Sequence, residues 1–182
     1  MADVGGAWPD VTDVRLLCVL RHAKSSWEEP FSADQDRPLA PRGRKDMDHM
    51  AAHIRSTGLA PELVLCSSAR RTRETLERLR PALPRTTTVL VEDRIYAASA
   101  DELLDRIREV PAEVNTVLLI GHNPGAQELV AALAGKGSRL RDVRDKFPTG
   151  ALATLDLGKR SWSQLREGGA ELRAFVAPRE LR

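Results

Sequence analysis

The sequence predicts a three-layer α/β/α fold whose central sheet is mostly parallel and carries an antiparallel C-terminal strand. Short apolar runs alternate with amphipathic helical segments between residues 15 and 133, a pattern typical of a parallel sheet covered on both faces. Two later segments, 151–157 and 171–177, instead alternate between apolar and polar residues and are joined by a polar turn. Neighbouring strands of that kind pair in antiparallel fashion, which explains the expected C-terminal addition.

The individual elements follow from the spacing of apolar residues. Strands are expected at 15–21, 62–66, 87–91, 116–120, 151–157 and 171–177. Helices are expected at 42–57, 69–79, 100–109 and after 123. In the first helix the residues Met47, Met50, Ala51 and Ile54 recur at helical intervals and predict its buried face. The segment 134–149 is expected to be rich in loops.

Several residues at the predicted helix ends are typical of such positions. Gly58 is expected to stop the first helix, because glycine readily adopts the left-handed conformation that follows a helix. Ser67 and Ser68 are natural N-caps for the second helix. Asn123 is expected to cap the fourth helix, with Pro124 at its first position.

Composition excludes several functional classes. The 182 residues are enough for one domain, expected at 14–182, after a loosely ordered tail at 1–13 that lacks the features of a signal peptide. The formal net charge of +2, with acidic residues interspersed among the basic ones, argues against a nucleic-acid partner. No apolar run approaches the roughly 20 residues of a membrane helix, so no membrane partner is expected.

The two cysteines, Cys18 and Cys66, both fall in predicted buried strands. Buried free thiols are ordinarily inert packing residues. They fit a reducing compartment, and we therefore expect a cytoplasmic location.

Four basic or imidazole side chains follow strands or lie in the first turn of a helix: Arg21, His22, Arg71 and His122. Each residue alone is weak evidence for a functional site, because such residues often have purely structural roles. The carboxyl ends of parallel strands, however, converge at one edge of a sheet, where ligands bind in α/β proteins. The sequence therefore predicts a single site built from all four.

This set of side chains favours a compact dianion such as phosphate. Arginine binds phosphate oxygens in bidentate fashion, and a helix N-terminus adds free N–H groups. His22 is the expected nucleophile, because the neighbouring charges of Arg21 and Arg71 should disfavour its protonated form. The arginines and His122 would neutralise the equatorial oxygens during phosphoryl transfer, so neither a metal nor another cofactor is expected.

Two other readings of the residues remain open. Cys66, followed by Arg71 and Thr72, resembles the loop of cysteine-dependent phosphatases, but four residues separate cysteine and arginine where that loop needs five. His49 and His53 have the i, i+4 spacing of a metal site, but the glutamate of a zinc protease helix is missing.

Five groups of residues form short motifs along the chain. They are Leu20-Arg21-His22-Ala23-Lys24-Ser25-Ser26-Trp27, Asp36-Arg37-Pro38-Leu39 with Arg42-Gly43, Ser67-Ser68-Ala69-Arg70-Arg71-Thr72-Arg73-Glu74-Thr75, Gly121-His122-Asn123-Pro124 and Phe147-Pro148-Thr149-Gly150. Together these motifs resemble the histidine phosphatase superfamily, and in particular its small SixA-like phosphohistidine phosphatases. They recur in the family's order over about residues 14–177, nearly the whole chain.

The resemblance implies a phosphoglycerate mutase-like fold and a specific set of catalytic residues. His22 would be the phosphorylated nucleophile, and Arg21, Arg71 and His122 would be the phosphate ligands. Alignment on Ser67 and Thr75 selects Arg71 rather than Arg70 as the family arginine.

One departure from the family concerns the general acid. Larger members such as the phosphoglycerate mutases carry a glutamate in the segment that here reads 93–98, and the aligned position is Tyr96 or its neighbour. An alkoxide leaving group needs a proton, whereas imidazole, with a reference pKa of about 6.5, leaves readily. Asp36 or Glu92 could still supply a proton from a loop, and Lys24 and Ser25 could contact the substrate.

We therefore expect a metal-independent phosphatase that acts through a phosphohistidine intermediate. Its expected substrate is phosphohistidine in a protein, because the missing acid and the small size favour an open site for a phosphoramidate. The alternatives are a phosphatase of small phosphorylated metabolites and a non-catalytic module that binds phosphate or a phosphoprotein.

Overall fold

The structure is a computed structural model that describes residues 14–28 and 31–182. The tail expected at 1–13 lies outside the described residues. The strands are β1 Leu16–Arg21, β2 Leu63–Ser67, β3 Thr88–Glu92, β4 Thr116–Gly121, β5 Ala134–Lys136, β6 Leu152–Asp156 and β7 Ala170–Val176. The helices are α1 Pro41–Thr57, α2 Arg70–Leu79, α3 Ala100–Arg108, α4 Gly125–Leu133 and α5 Leu140–Asp145.

The strands form one sheet in the order β3-β2-β4-β1-β6-β7-β5. β1, β2, β3 and β4 pair in parallel, and β6 is antiparallel to both β1 and β7. β5 runs parallel to β7. Within the described chain only β6 is reversed, so the predicted mostly parallel sheet with an antiparallel addition near the C-terminus is confirmed.

Two apolar layers cover the sheet, one on each face. Alternate residues of the central strands, such as Leu17 and Val19 of β1, pack against α3 and α4 in one cluster. The intervening residues, Cys18 and Leu20, pack against α1 and α2 in the other. Because side chains of a strand alternate between faces, the central strands β1, β2 and β4 contribute to both layers, and the predicted three-layer arrangement is confirmed.

The end of α1 is as predicted, but the starts of α2 and α4 are not. Gly58 follows α1 in the left-handed conformation, with φ of 70°. The N-cap of α2 is Ala69, not Ser67 or Ser68, and its side chain makes no capping hydrogen bond. The N-cap of α4 is Pro124, which follows a cis peptide bond.

The predicted capping side chains bond elsewhere, which is the physical reason for these errors. The Ser67 hydroxyl lies 2.7 Å from a ring nitrogen of His122, and the Ser68 hydroxyl accepts a hydrogen bond from Gln35. The Asn123 amide donates to the Gln127 side chain and to the backbone carbonyl of Phe147.

The segment expected to be rich in loops, 134–149, also contains regular structure. β5 pairs with β7, and α5 buries Val143 in the cluster that includes α4. Both elements are short and β5 contains a glycine, so neither has the apolar periodicity that indicates a strand or a helix in the sequence. No helix of the described chain is long and apolar enough to cross a membrane.

Candidate active site

The two histidines lie side by side because their strands are neighbours. β1 and β4 pair in parallel with Arg21 opposite Gly121, so His22 and His122 leave the sheet at the same edge. The backbone N–H of His22 donates to the carbonyl of Gly121 at 3.0 Å. The two ring centroids are 5.2 Å apart. The structure thus brings together two residues that are a hundred positions apart in the chain.

The hydrogen bond made by His22 defines the state of its ring. Nδ1 lies 2.7 Å from the carbonyl oxygen of Ala23. A carbonyl can only accept, so this bond places the proton on Nδ1 and leaves a lone pair on Nε2. The ring is only 6% exposed, and burial is the main reason its pKa falls to about 3. The charges of Arg21 and Arg71, from which the sequence predicted a neutral ring, also lower the pKa of His22, but less strongly than burial does.

The loop that follows His22 is fixed by α2 and α1. The N–H of Ala23 donates to the hydroxyl of Thr75, which in turn donates to the carbonyl of Arg71. On the other side Gly43 in α1 lies so close to the carbonyl of Lys24 that a Cβ atom would overlap it. Glycine is therefore required at position 43 for the helix to pack against this loop.

His122 has a different environment. Its Nε2 lies 2.7 Å from the hydroxyl of Ser67, which can either donate or accept, while Nδ1 is buried and makes no hydrogen bond in the described structure. The Tyr96 ring lies edge-on to the imidazole, with centroids 5.4 Å apart. Burial, and then the charge of Arg71, lowers the pKa of His122 to about 4. Both histidines are therefore neutral at physiological pH.

The predicted arginines surround the two rings. Arg71 is 5% exposed, whereas Arg70 next to it is exposed and pairs with Glu74. Arg21 donates from Nη1 to the carbonyl of Phe147 at 2.8 Å. Arg21 and Arg71 both lower the pKa of His122, which places their charges near that ring.

A third arginine, Arg37, completes this group. It is also buried, its guanidinium lies 3.8 Å above the Trp27 ring, and its charge likewise lowers the pKa of His122. The Nε atoms of Arg21, Arg37 and Arg71 are all buried and make no hydrogen bond in the described structure. Buried donors are ordinarily paired, so this group of unpaired N–H donors around His122 fits an anion.

A carboxylate that was not predicted from the sequence, Asp34, also lies at this site. It accepts from Nη2 of Arg71 at 2.9 Å, from the Tyr96 hydroxyl at 2.9 Å, and pairs with Arg37 at 3.3 Å. Partial burial raises its pKa, but the hydrogen bond from Tyr96 and the charges of Arg71 and Arg37 lower it below its ordinary value overall. The sequence feature that could have identified Asp34 is its position three residues before Arg37, because two residues at that spacing meet within one tight turn.

The two carboxylates selected as possible general acids are placed differently. Asp36 is exposed, and its side chain makes no hydrogen bond or ion pair among the described residues. Glu92 accepts bidentate hydrogen bonds from Arg106 and another from Arg94, and the bonds from Arg106 are the largest cause of its lowered pKa. A carboxylate held ionised in this way is a poor proton donor. Glu92 is therefore poorly suited to the role expected for it, whereas the exposed Asp36 keeps its role as an expectation. Asp34 is the carboxylate that contacts Arg71 and Tyr96.

Lys24 and Ser25 do not bond to the site residues in the described structure. The Lys24 side chain is exposed, and its backbone carbonyl accepts from Ala40. Ser25 is buried and forms an isolated antiparallel bridge with Leu39. Both residues shape the loop that follows His22.

The other readings of the sequence are not supported by the structure. Cys66 is fully buried among apolar residues of β2, and burial raises the pKa of its thiol to about 12. Such a thiol carries almost no thiolate, the form needed for nucleophilic attack. His49 is exposed and His53 half-buried, and no group of metal-ligating side chains occurs among the described residues.

Comparison with known proteins identifies the family. Residues 17–96 match the family model of the histidine phosphatase superfamily, branch 1. An uncharacterized protein of Mycobacterium leprae is 37% identical over 166 residues, covering 88% of this chain and 100% of that protein.

Solved structures agree with this assignment. A candidate phosphohistidine phosphatase SixA from Nakamurella multipartitia is 30% identical with a TM-score of 0.78, covering 91% of this chain and 96% of that one. Another from Agrobacterium tumefaciens is 30% identical with a TM-score of 0.76, covering 90% and 98%. These matches support phosphatase activity, and the chain belongs to the histidine phosphatase superfamily, in which it is SixA-like.

Proposed function

We propose that this protein is a metal-independent phosphatase that forms a phosphohistidine intermediate on His22 and removes phosphate from phosphohistidine in another protein. The observation that carries the proposal is the hydrogen bond from Nδ1 of His22 to the carbonyl of Ala23. This bond directs the Nε2 lone pair away from the loop, and the low pKa keeps that lone pair free of a proton.

In the first step Nε2 of His22 attacks phosphorus. A new N–P bond forms as the bond to the leaving nitrogen breaks, and the electron pair goes to that nitrogen, which takes a proton from solvent. Arg21, Arg71 and His122 hold the phosphoryl oxygens and offset their charge, the main requirement of phosphoryl transfer. In the second step water attacks the phosphorus, which releases inorganic phosphate and restores the lone pair of His22.

The state of the nearby carboxylates supports a phosphoramidate as substrate. Asp34 has a lowered pKa and is bound to Arg71 and Tyr96, so it holds these groups in position but is a poor proton donor. The sugar of a sugar phosphate leaves as an alkoxide and needs such a proton donor. Imidazole is a much better leaving group and depends far less on one. The environment of Asp34 therefore favours phosphohistidine.

Covalent labelling of His22 tests the chemistry. With a protein phosphorylated on histidine as ³²P donor, the wild type is expected to form an acid-labile label, and His22→Ala is expected to form none and to lose at least about 10⁴-fold in kcat/KM. His49→Ala, which removes an exposed histidine of α1, is the control and should behave as wild type. A label retained in His22→Ala would refute the role of His22.

A substrate comparison tests the specificity. We expect kcat/KM for the phosphohistidine protein to exceed that for each member of a panel of sugar and nucleotide phosphates. Faster turnover of a phosphomonoester would assign the protein to small metabolites. Failure to hydrolyse even an aryl phosphate would leave a non-catalytic module that binds phosphate or a phosphoprotein.

A further inference from the structure

A basic groove lies beside the candidate active site. Its volume is about 350 Å³, and its lining includes five basic side chains and a single carboxylate. These residues, defined here as the basic groove, are Lys24, Arg42, Asp46, Lys146, Arg179 and Arg182. They come from four separate segments of the chain, which the fold brings to the same edge of the sheet.

The groove is adjacent to the site through two of these segments. Lys24 is two residues after His22, in the loop that Gly43 supports. Lys146 directly precedes Phe147, whose carbonyl accepts from Arg21. The segments that carry His22 and contact Arg21 therefore also form part of the wall of the groove.

The groove carries a local excess of positive charge. Asp46 is buried and pairs with Arg182 at 2.8 Å and with Arg42 at 3.8 Å. Lys24, Lys146 and Arg179 are exposed and form no ion pair with any described residue. Five basic side chains and one acidic side chain give the groove a net charge of +4, which exceeds the formal net charge of +2 of the whole chain.

The distribution of these cations favours an extended partner over a second compact phosphate. Near the two histidines Arg37 and Arg71 are buried and Arg21 is half-buried, and the charges of all three act on His122, as a site for one tetrahedral anion requires. In the groove Lys24, Lys146 and Arg179 are exposed, lie on different segments and have flexible stems. Carboxylates spread over a protein surface match that arrangement, because each can pair with a different cation.

We propose that the basic groove is a docking surface for acidic side chains that flank the phosphohistidine of the protein substrate. This inference rests on the proposed function and adds to it how the substrate protein is recognised. Complementary charges steer encounter and set register, and their effect weakens as salt screens them. The groove should therefore act on protein substrates and leave free phosphohistidine unaffected.

The test compares two substrates that share one leaving group. One is a histidine-phosphorylated protein domain with an acidic surface, prepared with phosphoramidate, and the other is the free amino acid phosphohistidine. The variant is the double substitution Lys146→Glu with Arg179→Glu, which reverses two exposed charges outside the catalytic set. The control, Arg55→Glu with Arg85→Glu, reverses two exposed arginines at the end of α1 and before β3.

For the groove variant we expect kcat/KM on the protein substrate to fall about 10- to 100-fold, mainly through KM, with a weaker dependence on salt. Turnover of free phosphohistidine should stay within about twofold of wild type, since neither residue belongs to the catalytic set. The control variant should match wild type on both substrates. Thermal unfolding of all three proteins verifies that they are equally folded.

The other outcomes overturn the proposal in distinguishable ways. If the groove variant turns over the protein substrate as the wild type does, the groove has no docking role, and the proposed function is unaffected. An equal loss of turnover on free phosphohistidine would show that the groove residues act on the catalytic site and do not dock the protein substrate. If the wild type hydrolyses an aryl phosphate but no phosphohistidine, the proposed function itself fails, and the docking surface fails with it.

Discussion

His22 and His122 occupy equivalent places in the fold but differ in the partner that each ring contacts. Both follow a central parallel strand, both are 6% exposed, and burial lowers the pKa of both. The partner of His22 is a carbonyl, which fixes one tautomer. The partner of His122 is a hydroxyl, which can adapt to either.

This difference supports the separate roles proposed for the two histidines. Burial makes both imidazoles neutral, and the hydrogen-bond partner then decides what each can do. A fixed tautomer presents a lone pair, as a nucleophile must. An adaptable ring can donate a proton to a phosphoryl oxygen, as a ligand must.

After the loss of the nucleophile itself, the largest expected effect comes from removing His122, the proposed phosphate ligand. His122→Ala should lower kcat about 10² to 10³-fold, the range typical of losing one donor to a developing negative charge. The ³²P label on His22 should still form, though more slowly, because the nucleophile remains. A variant of His122 that takes up no label at all would show that the two histidines do not divide the roles in this way.

The second prediction concerns stability against pH. In the unfolded chain both histidines titrate near the reference pKa of about 6.5, and in the folded chain near about 3 and about 4. Below pH 6.5 the unfolded state binds more protons, so the free energy of unfolding falls as pH falls, by up to about 1.4 kcal/mol per pH unit for each histidine. About one pH unit above 6.5 and higher, neither state carries the proton and this contribution is constant.

Urea unfolding at pH 7, 6 and 5 measures this slope. His22→Gln should reduce this slope by up to about 1.4 kcal/mol per pH unit relative to wild type, the contribution of one proton. His49→Gln, in an exposed position, should leave it unchanged. Equal slopes in His22→Gln and wild type would contradict the buried neutral state of His22.

The smallest effect is expected from the partner of His122. Ser67→Ala removes its hydroxyl, and a typical hydrogen bond of about 1 kcal/mol corresponds to roughly a fivefold loss in kcat/KM. Ser68→Ala is the matched neighbour, because its hydroxyl contacts Gln35 and not the imidazole. A larger loss from Ser68→Ala than from Ser67→Ala would show that Ser67 does not orient His122.

The sequence predicted the parts of the site that depend on regular structure. Apolar runs that end in Arg21-His22 and in Gly121-His122 marked two strand ends, and the parallel fold places them together. Arg71 was expected in the first turn of α2, and the family resemblance selected it over its exposed neighbour Arg70. These features are encoded locally, by residues that are neighbours in the chain.

Features that depend on contacts between distant segments could not be predicted in this way. Asp34 lies in a polar loop, and its partners Arg71 and Tyr96 are 37 and 62 positions away. Asn123 carries a typical capping side chain, yet its amide donates to Phe147 in another segment. A propensity for capping is a local preference, and the tertiary partner overrides it.

The reversed direction of β6 has a consequence for how such sites are found. Its amino end lies where its neighbours have their carboxyl ends, so Phe147 and Gly150 reach His22 and Arg21 from in front of a strand. A search restricted to the residues that follow each strand misses contacts of this kind. The stretch that leads into any backward-running strand belongs in the same inspection.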